Sequence, residues 1–331
     1  MKKNLITNIA FFAVIMCALS CSNNESKSSC DTNMSTPKEN DINIEFYNSK
    51  LITELQNVNN EFLTGTRSKP NWSREETAKV VIADLVGAWN GCVKGGKIGG
   101  WIGTHLGQPH TGAVVGSIVG GVICGATASW IQAPNHNSQQ NKRAIPTDST
   151  DFSNMTKIFS ELTQNELSLD STNIKMSLDI QKKVRIDNEI LSTINLKEEQ
   201  LNIGKLHYIM LSVLDRNTTL ITTGIAETKD TLFNAIINSD EMKSLYEEIK
   251  TYATTNAYIS DGSKAEYTIK LFIDVFEKYS QSQLDIIEII NKYSEIINNS
   301  DELTEEDKEY IMAGLGTALY SMNYWEISNS K

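Results

Sequence analysis

The sequence has few of the residues from which catalytic and metal sites are usually built. Its 331 residues contain four histidines and five cysteines, and no HxxxH, CxxC, HExxH or GxSxG pattern occurs. Four histidines without carboxylates at ligand spacing do not form a metal site, so we expect no metal, no cofactor and no enzymatic activity. His207 is the one candidate, and a hydrogen-bonded core histidine is the favoured interpretation there.

Positive charge is also scarce. The chain has 30 Lys and Arg against 41 Asp and Glu, a net charge of −11. This balance argues against nucleic acid as a partner, because phosphate binding needs clustered cations. Hydrophobic residues make up 40% of the chain, which is too many for a protein disordered throughout and enough for a sizeable core.

The N-terminus has the pattern of an export signal. Lys2 and Lys3 precede an apolar run from Ile9 to Leu19, which is too short to span a bilayer and predicts a signal peptide over residues 1–20. The stretch Ala18-Leu19-Ser20-Cys21 resembles the lipobox of bacterial lipoproteins, although the leucine lies one position later than usual. The resemblance implies acylation of Cys21 (with palmitate, for example) and a place in the cell envelope, facing the periplasm or the cell surface. Secretion without lipid is the alternative.

The remaining chain divides by composition. Residues 22–45 contain almost no large apolar side chain, so we expect residues 21–50 to be a lipidated, disordered tether. Residues 51–133 are predicted to hold a short amphipathic helix and a helical hairpin. A polar linker over 134–147 then precedes a helical domain over 148–331.

Glycine is concentrated in one stretch. Thirteen of the 19 glycines lie between Gly87 and Gly125, and most of them recur at every fourth position. Each glycine in a helix costs about 1 kcal/mol relative to alanine, so such a run needs a packing reason. We predict that these residues form a helix-packing surface: Gly87, Gly91, Gly95, Gly99, Gly103 and Gly107, then, after a break at 108–110, Gly112, Gly116 and Gly120.

The spacing of four gives each predicted helix a small face and a bulky back. Two such helices joined by a short break predict an antiparallel hairpin with its small faces inward. This pattern resembles the glycine-zipper segments of bacterial envelope proteins and of two-peptide bacteriocins. The resemblance implies membrane association or close helix packing, including packing between copies in a homo-oligomer.

Two cysteines belong to these small faces. If Gly107 is paired with Gly112, Cys124 lies opposite Gly95, three residues from Cys92. A disulfide between Cys92 and Cys124 is one hypothesis, and two buried free thiols acting as small residues are the favoured alternative.

The sequence leaves open whether lipid or protein covers the hairpin. Residues 111–133 carry no charge and are long enough to span a bilayer. The first helix carries Asp84, Lys94 and Lys97, which are costly inside a membrane. Insertion into a membrane and burial inside a folded domain both remain open.

Helical spacing of apolar residues predicts five or six helices in the C-terminal half, so the class is all-α: a glycine-zipper hairpin plus a C-terminal helical bundle. The alternating segment 174–180 has no evident partner strand, and we interpret it as irregular or helical. Gly314 and Ala318 form a small patch that fits docking on the hairpin. We recognise no family from the residues of this half of the chain.

These features predict a non-enzymatic, lipid-anchored envelope protein whose hairpin serves membrane association, helix packing or oligomerisation. Membrane lipid is the expected partner, through acylated Cys21 and the hairpin. A secreted, bacteriocin-like pore-forming protein is the first alternative, and a soluble enzyme or binding domain with a buried hairpin is the second.

Overall fold

Ten helices and one pair of short strands make up the described part of the computed structural model, which confirms the predicted all-α class. The described residues are 49–64, 72–133, 151–170, 173–176, 191–216, 231–255, 262–279 and 283–329. The predicted signal peptide, Cys21, the tether up to residue 48 and the linker over 134–147 lie outside these ranges.

The elements follow the chain in order, and their bounds are these. The first three helices are α1 (Lys50–Thr64), α2 (Trp72–His105) and α3 (Pro109–Gln132). Helix α4 (Phe152–Glu166) leads into strands β1 (Leu167–Asp170) and β2 (Asn173–Met176). The remaining helices are α5 (Glu198–Arg216), α6 (Thr231–Ile237), α7 (Asp240–Thr255), α8 (Lys264–Tyr279), α9 (Gln283–Asn299) and α10 (Glu305–Asn329).

Three helices form the centre of the fold. Residues 80–92 of α2, 115–129 of α3 and 311–325 of α10 are buried without interruption, as expected for helices that carry apolar or small residues on every side. Helix α10 packs on α2 and α5, and α3 packs on α2, α5 and α7. The described residues belong to one compact unit, so the glycine-rich helices and the C-terminal helices share a core.

The predicted amphipathic helix near residue 51 is confirmed as α1, and its apolar side is buried at Leu51, Leu55, Val58 and Phe62. A buried amide fixes this helix to the domain. Tyr293 Oη of α9 donates to Asn59 Oδ1 at 2.6 Å, and Asn59 Nδ2 donates to the carbonyl of Leu271 in α8 at 2.8 Å. Each buried polar group here therefore has a partner.

The interpretation of residues 174–180 as irregular or helical is wrong over the described part of that segment. Residues 173–176 form β2, which pairs antiparallel with β1; Leu167 lies opposite Met176 and Asp170 opposite Asn173. The partner strand is the segment that follows α4 directly. Apolar and polar residues alternate in Leu167-Ser-Leu-Asp170, but four residues are too few to predict a strand from sequence.

A carboxylate joins α1 to the other end of the chain. Glu302, between α9 and α10, accepts hydrogen bonds from Leu51 N at 2.9 Å and from Lys264 Nζ at 2.7 Å. Burial raises the pKa of Glu302, but donors from Lys264, Leu51 and Ser49 outweigh it and lower the pKa from 4.5 to about 2. The ionised carboxylate therefore stabilises the fold at neutral pH.

We expect Glu302→Gln to lower the free energy of unfolding by about 2 kcal/mol at pH 7. Because the folded-state pKa is depressed, this contribution is present above pH 4.5 and is lost as the pH falls through 2. Wild type and variant should therefore converge near pH 2 in urea titrations followed by circular dichroism. Asp301→Asn, at the exposed neighbouring residue, is the control and should have little effect at either pH. A cost for Glu302→Gln that does not vary with pH would contradict this assignment.

Candidate functional site

Helices α2 and α3 approach each other so closely that backbone meets backbone. They run antiparallel, and the small residues of one contact those of the other at intervals of four. A Cβ built on Gly99 would lie 2.8 Å from the Cα of Gly116, and one built on Gly112 would lie 2.8 Å from the Cα of Gly103. Real Cβ atoms do not approach this closely, so only glycine fits. The facing pairs are Gly87 with Cys124, Gly91 with Gly120, Gly95 with Gly116, Gly99 with Gly112, and Gly103 with Gln108.

Gly107 has a different role from the other predicted packing glycines. A Cβ on Gly107 would have no atom within 4 Å, and the residue has a φ of 74°. This left-handed conformation ends α2, where glycine is the favoured residue. Gln108 N then donates to the carbonyl of Gly103 at 2.6 Å, and α3 begins at Pro109. Gly107 is therefore the turn residue, and its assignment to helix packing is wrong.

The tight turn also changes the register. The sequence-based register placed Cys124 opposite Gly95, and that prediction is wrong: Cys124 lies beside Gly87 and Gly91. Cys92 instead faces Gly121. Both thiols are free and buried, so the hypothesised disulfide is not formed in the structure. Burial raises the pKa of Cys92 to about 12 and that of Cys124 still further. Both cysteines thus act as small, unreactive packing residues.

A second close crossing joins α5 to α10, and sequence reasoning missed it. A Cβ on Gly316 would lie 2.7 Å from the carbonyl oxygen of Gln200, and one on Gly204 would lie 2.7 Å from the Tyr320 ring. Gly314, two residues earlier, faces α2 beside Trp89. The pattern Gly314-Leu-Gly316 therefore places one glycine against each of two helices, which a search for spacing of four does not find.

A buried polar cluster lies where α2, α5 and α10 meet. His207 Nε2 is 2.7 Å from Asp84 Oδ1, and neither side chain has any exposed surface. Ser321 Oγ also donates to Asp84 Oδ2, and Trp325 Nε1 donates to the same oxygen at 3.4 Å. The Asp84 carboxylate thus accepts one hydrogen bond from α5 and two from α10. We call Asp84, His207, Ser321 and Trp325 the polar cluster.

The polar cluster lacks the order of groups that activates a serine. The Ser321 hydroxyl donates to the Asp84 carboxylate and not to the His207 imidazole. Nucleophilic catalysis needs the serine bonded to the base and the base bonded to the carboxylate. His207 Nδ1 is buried and has no hydrogen-bond partner among the described residues. The interpretation of His207 as a hydrogen-bonded core residue is confirmed. Within the same ranges, no three His, Cys, Asp or Glu side chains are arranged to hold a metal ion.

Protein covers most of the apolar back of α3 in this structure. Helix α3 is the one described helix that is long and apolar enough to cross a membrane, with a mean hydropathy of 1.8, and 83% of its apolar window is buried. Ile118 and Val122 are buried and Val114 is partly buried. Lys94 of α2 pairs with Glu248 of α7. Asp84 and Lys94 would be costly in lipid, and both have partners within the domain.

The glycine interface predicts a sharp contrast between adjacent positions. We expect Gly99→Ala to lower the free energy of unfolding by about 3 kcal/mol, because the new methyl group overlaps the backbone of α3. Gly100→Ala is the matched control, since its methyl group would lie 3.5 Å from Ala113 Cβ, an ordinary contact. Its higher helix propensity should stabilise the protein by up to about 1 kcal/mol. Thermal unfolding followed by circular dichroism measures both, and equal effects would contradict the interface.

The polar cluster predicts strong coupling between Asp84 and His207. Asp84→Ala removes the shared acceptor of three buried donors and should cost about 3–5 kcal/mol in urea unfolding. His207→Ala alone should also destabilise the protein, because it removes one partner of the buried carboxylate. The double variant should cost clearly less than the sum of the two. Additive costs would show that the two side chains do not interact in the folded protein.

No protein-family model, curated protein or solved structure matches this chain. Its function must therefore be inferred from its own residues. Their most distinctive arrangement is a glycine-lined helix pair that is covered by the rest of the domain and fixed to it through one buried carboxylate.

Proposed function

We propose that this chain is a non-enzymatic, lipid-anchored protein of the bacterial cell envelope, in which the glycine-rich hairpin is the internal spine of a helical domain presented to solvent. In this proposal acylated Cys21 holds the protein at the membrane. The small faces of α2 and α3 serve packing within one chain, and oligomerisation through them is not required. The burial of 83% of the apolar window of α3 by protein carries the assignment of the hairpin, and the lipobox-like stretch Ala18-Leu19-Ser20-Cys21 supports the anchor.

Pairing of the hairpin charges supports this assignment. Asp84 takes donors from His207, Ser321 and Trp325, and Lys94 pairs with Glu248. Moving α2 and α3 into a bilayer would separate both sets of partners and expose the apolar faces of α5, α7 and α10. The fully buried Asp84 carboxylate would cost several kcal/mol without its partners, whereas the partly exposed Lys94–Glu248 pair contributes much less, so Asp84 is the main charge that holds the hairpin in place.

The non-enzymatic part of the proposal draws on the polar cluster. Catalysis needs an acid, base or nucleophile that a substrate can reach. Asp84 and His207 have no exposed surface, and each donor to Asp84 is a neighbour within the core. The cluster thus serves to join three helices.

The second candidate is a secreted pore-forming protein, and one observation favours it. Helix α3 has 24 residues and a mean hydropathy of 1.8, which is sufficient to cross a bilayer. Under this alternative the hairpin would have to leave the domain and give up the contacts described above. Release of a trapped dye from vesicles would detect such an event.

Cell fractionation with a Cys21→Ala variant tests the proposal. Wild-type protein should stay with the membrane fraction, and Cys21→Ala should move to the soluble fraction, because the acyl chain is the main anchor. Cys30→Ala is the matched control, since it removes a nearby thiol that lies outside the predicted lipobox. Retention of Cys21→Ala in the membrane, or release of trapped dye from vesicles by the purified protein, would instead favour hairpin insertion.

A further inference from the structure

The domain leaves the turn end of the glycine hairpin uncovered. All residues from 104 to 110 are exposed, in contrast to the continuous burial of 80–92 and 115–129. Two large apolar side chains are exposed here, Trp101 at 55% and Leu106 at 43%. We call residues 97–110 the hairpin tip. An exposed tryptophan is unusual on a protein surface that faces only water, because its large ring gains most from leaving water.

One face of the tip combines a cation with aromatic rings. Lys97, Trp101 and His105 follow one another at intervals of four, so they lie on the same side of α2. The rings of Trp101 and His105 contact each other, with centroids 4.5 Å apart. Lys97 is exposed and forms no ion pair with any residue that the structure describes. Its charge is therefore available to an external partner.

The charge of this region is opposite in sign to that of the whole chain. No Asp or Glu occurs between Asp84 and Asp148, whereas the chain carries a net charge of −11. Carboxylates from α7 and α10 lie near the hairpin. Glu248 pairs with Lys94, and Glu306 accepts from Tyr310, whose hydroxyl reaches Gly96. Neither carboxylate forms an ion pair with Lys97.

We propose that the hairpin tip binds the surface of an anionic lipid bilayer, with Trp101 and Leu106 in the interfacial layer and Lys97 beside lipid phosphates. Tryptophan prefers this layer because its ring has an apolar body and a polar N–H. A cation near an anionic surface adds attraction that falls off within a Debye length. The inference deepens the proposed function and rests on it for the nearby membrane, but the tip needs no acyl group to be tested.

This contact leaves the fold intact. The glycine pairs from Gly87–Cys124 to Gly99–Gly112 stay packed, and Asp84 keeps its three donors, because only residues beyond Gly96 meet lipid. Few side chains take part, so the contact is weak and reversible without the acyl chain. With the acyl chain in place, the tip would orient the domain on the bilayer, because two linked contacts bind more tightly than either one alone.

Vesicle sedimentation tests the tip directly. All proteins carry Cys21→Ala in the full chain, and vesicles contain phosphatidylcholine alone or an equal mixture with phosphatidylglycerol. The otherwise unaltered chain should bind the anionic vesicles more tightly than the neutral ones. Lys97→Glu should weaken binding to anionic vesicles about tenfold and leave neutral vesicles unaffected. Trp101→Ser with Leu106→Ser should weaken binding to both by at least tenfold.

Leu284→Ser is the matched control, because Leu284 is 68% exposed on α9, far along the chain from the tip. It should bind like the unaltered chain. Circular dichroism of each variant checks that the exposed substitutions leave the fold unchanged. Equal binding by the tip variants and Leu284→Ser, or no preference for anionic vesicles, would overturn the proposal.

The same measurements separate this inference from the proposed function. Failure of the tip to bind vesicles leaves the Cys21-dependent anchor standing, since every protein in the vesicle assay lacks Cys21. Dye release during the same assay would instead indicate that the whole hairpin inserts, which would overturn both proposals. Concentration-dependent self-association lost in the Trp101→Ser variant would assign the tip to a second copy of this chain and would also overturn the lipid assignment.

Discussion

The distance between the α2 and α3 backbones is the constraint on which the rest of this structure depends. Glycine on both sides brings the two helices together until the Cα atoms of one meet the carbonyls of the other. Glycine is a poor helix former, so this pair gains its stability from packing and not from propensity. The apolar backs of the two helices must be shielded from water, and α4, α5, α6, α7 and α10 pack on them. The hairpin and the helices around it therefore stabilise each other and cannot be understood separately.

One charged side chain fixes the position of the surrounding helices on the hairpin. Asp84 lies in the middle of an otherwise apolar stretch of α2, where a lone carboxylate would be costly. Its donors come from α5 and α10, which also meet each other through Gly204 and Gly316. An apolar residue at position 84 would allow these helices to slide, whereas a carboxylate with three donors specifies a single arrangement. We infer that Asp84 contributes specificity to the packing more than net stability.

The sequence alone predicted the helical class, helix α1 and the core role of His207, because each depends on a local pattern of apolar residues. It did not predict the partner of His207, since Asp84 is 123 positions away and no local pattern joins them. The register that we predicted between α2 and α3 was wrong, because the true register depends on how tightly the chain turns at Gly107. The period of four places the small faces but repeats equally well when shifted by whole turns. The cover over α3 also escaped prediction, because a buried helix and a membrane-spanning helix have the same composition.

The glycine pairs also limit how this protein can evolve. In an ordinary core, a larger residue on one helix can be offset by a smaller one on its partner, and such paired changes reveal contacts among related sequences. At Gly91–Gly120, Gly95–Gly116 and Gly99–Gly112, both partners already have the smallest side chain, so no compensating change exists. These positions should stay glycine, and the contact between the two helices should leave no trace of correlated substitution.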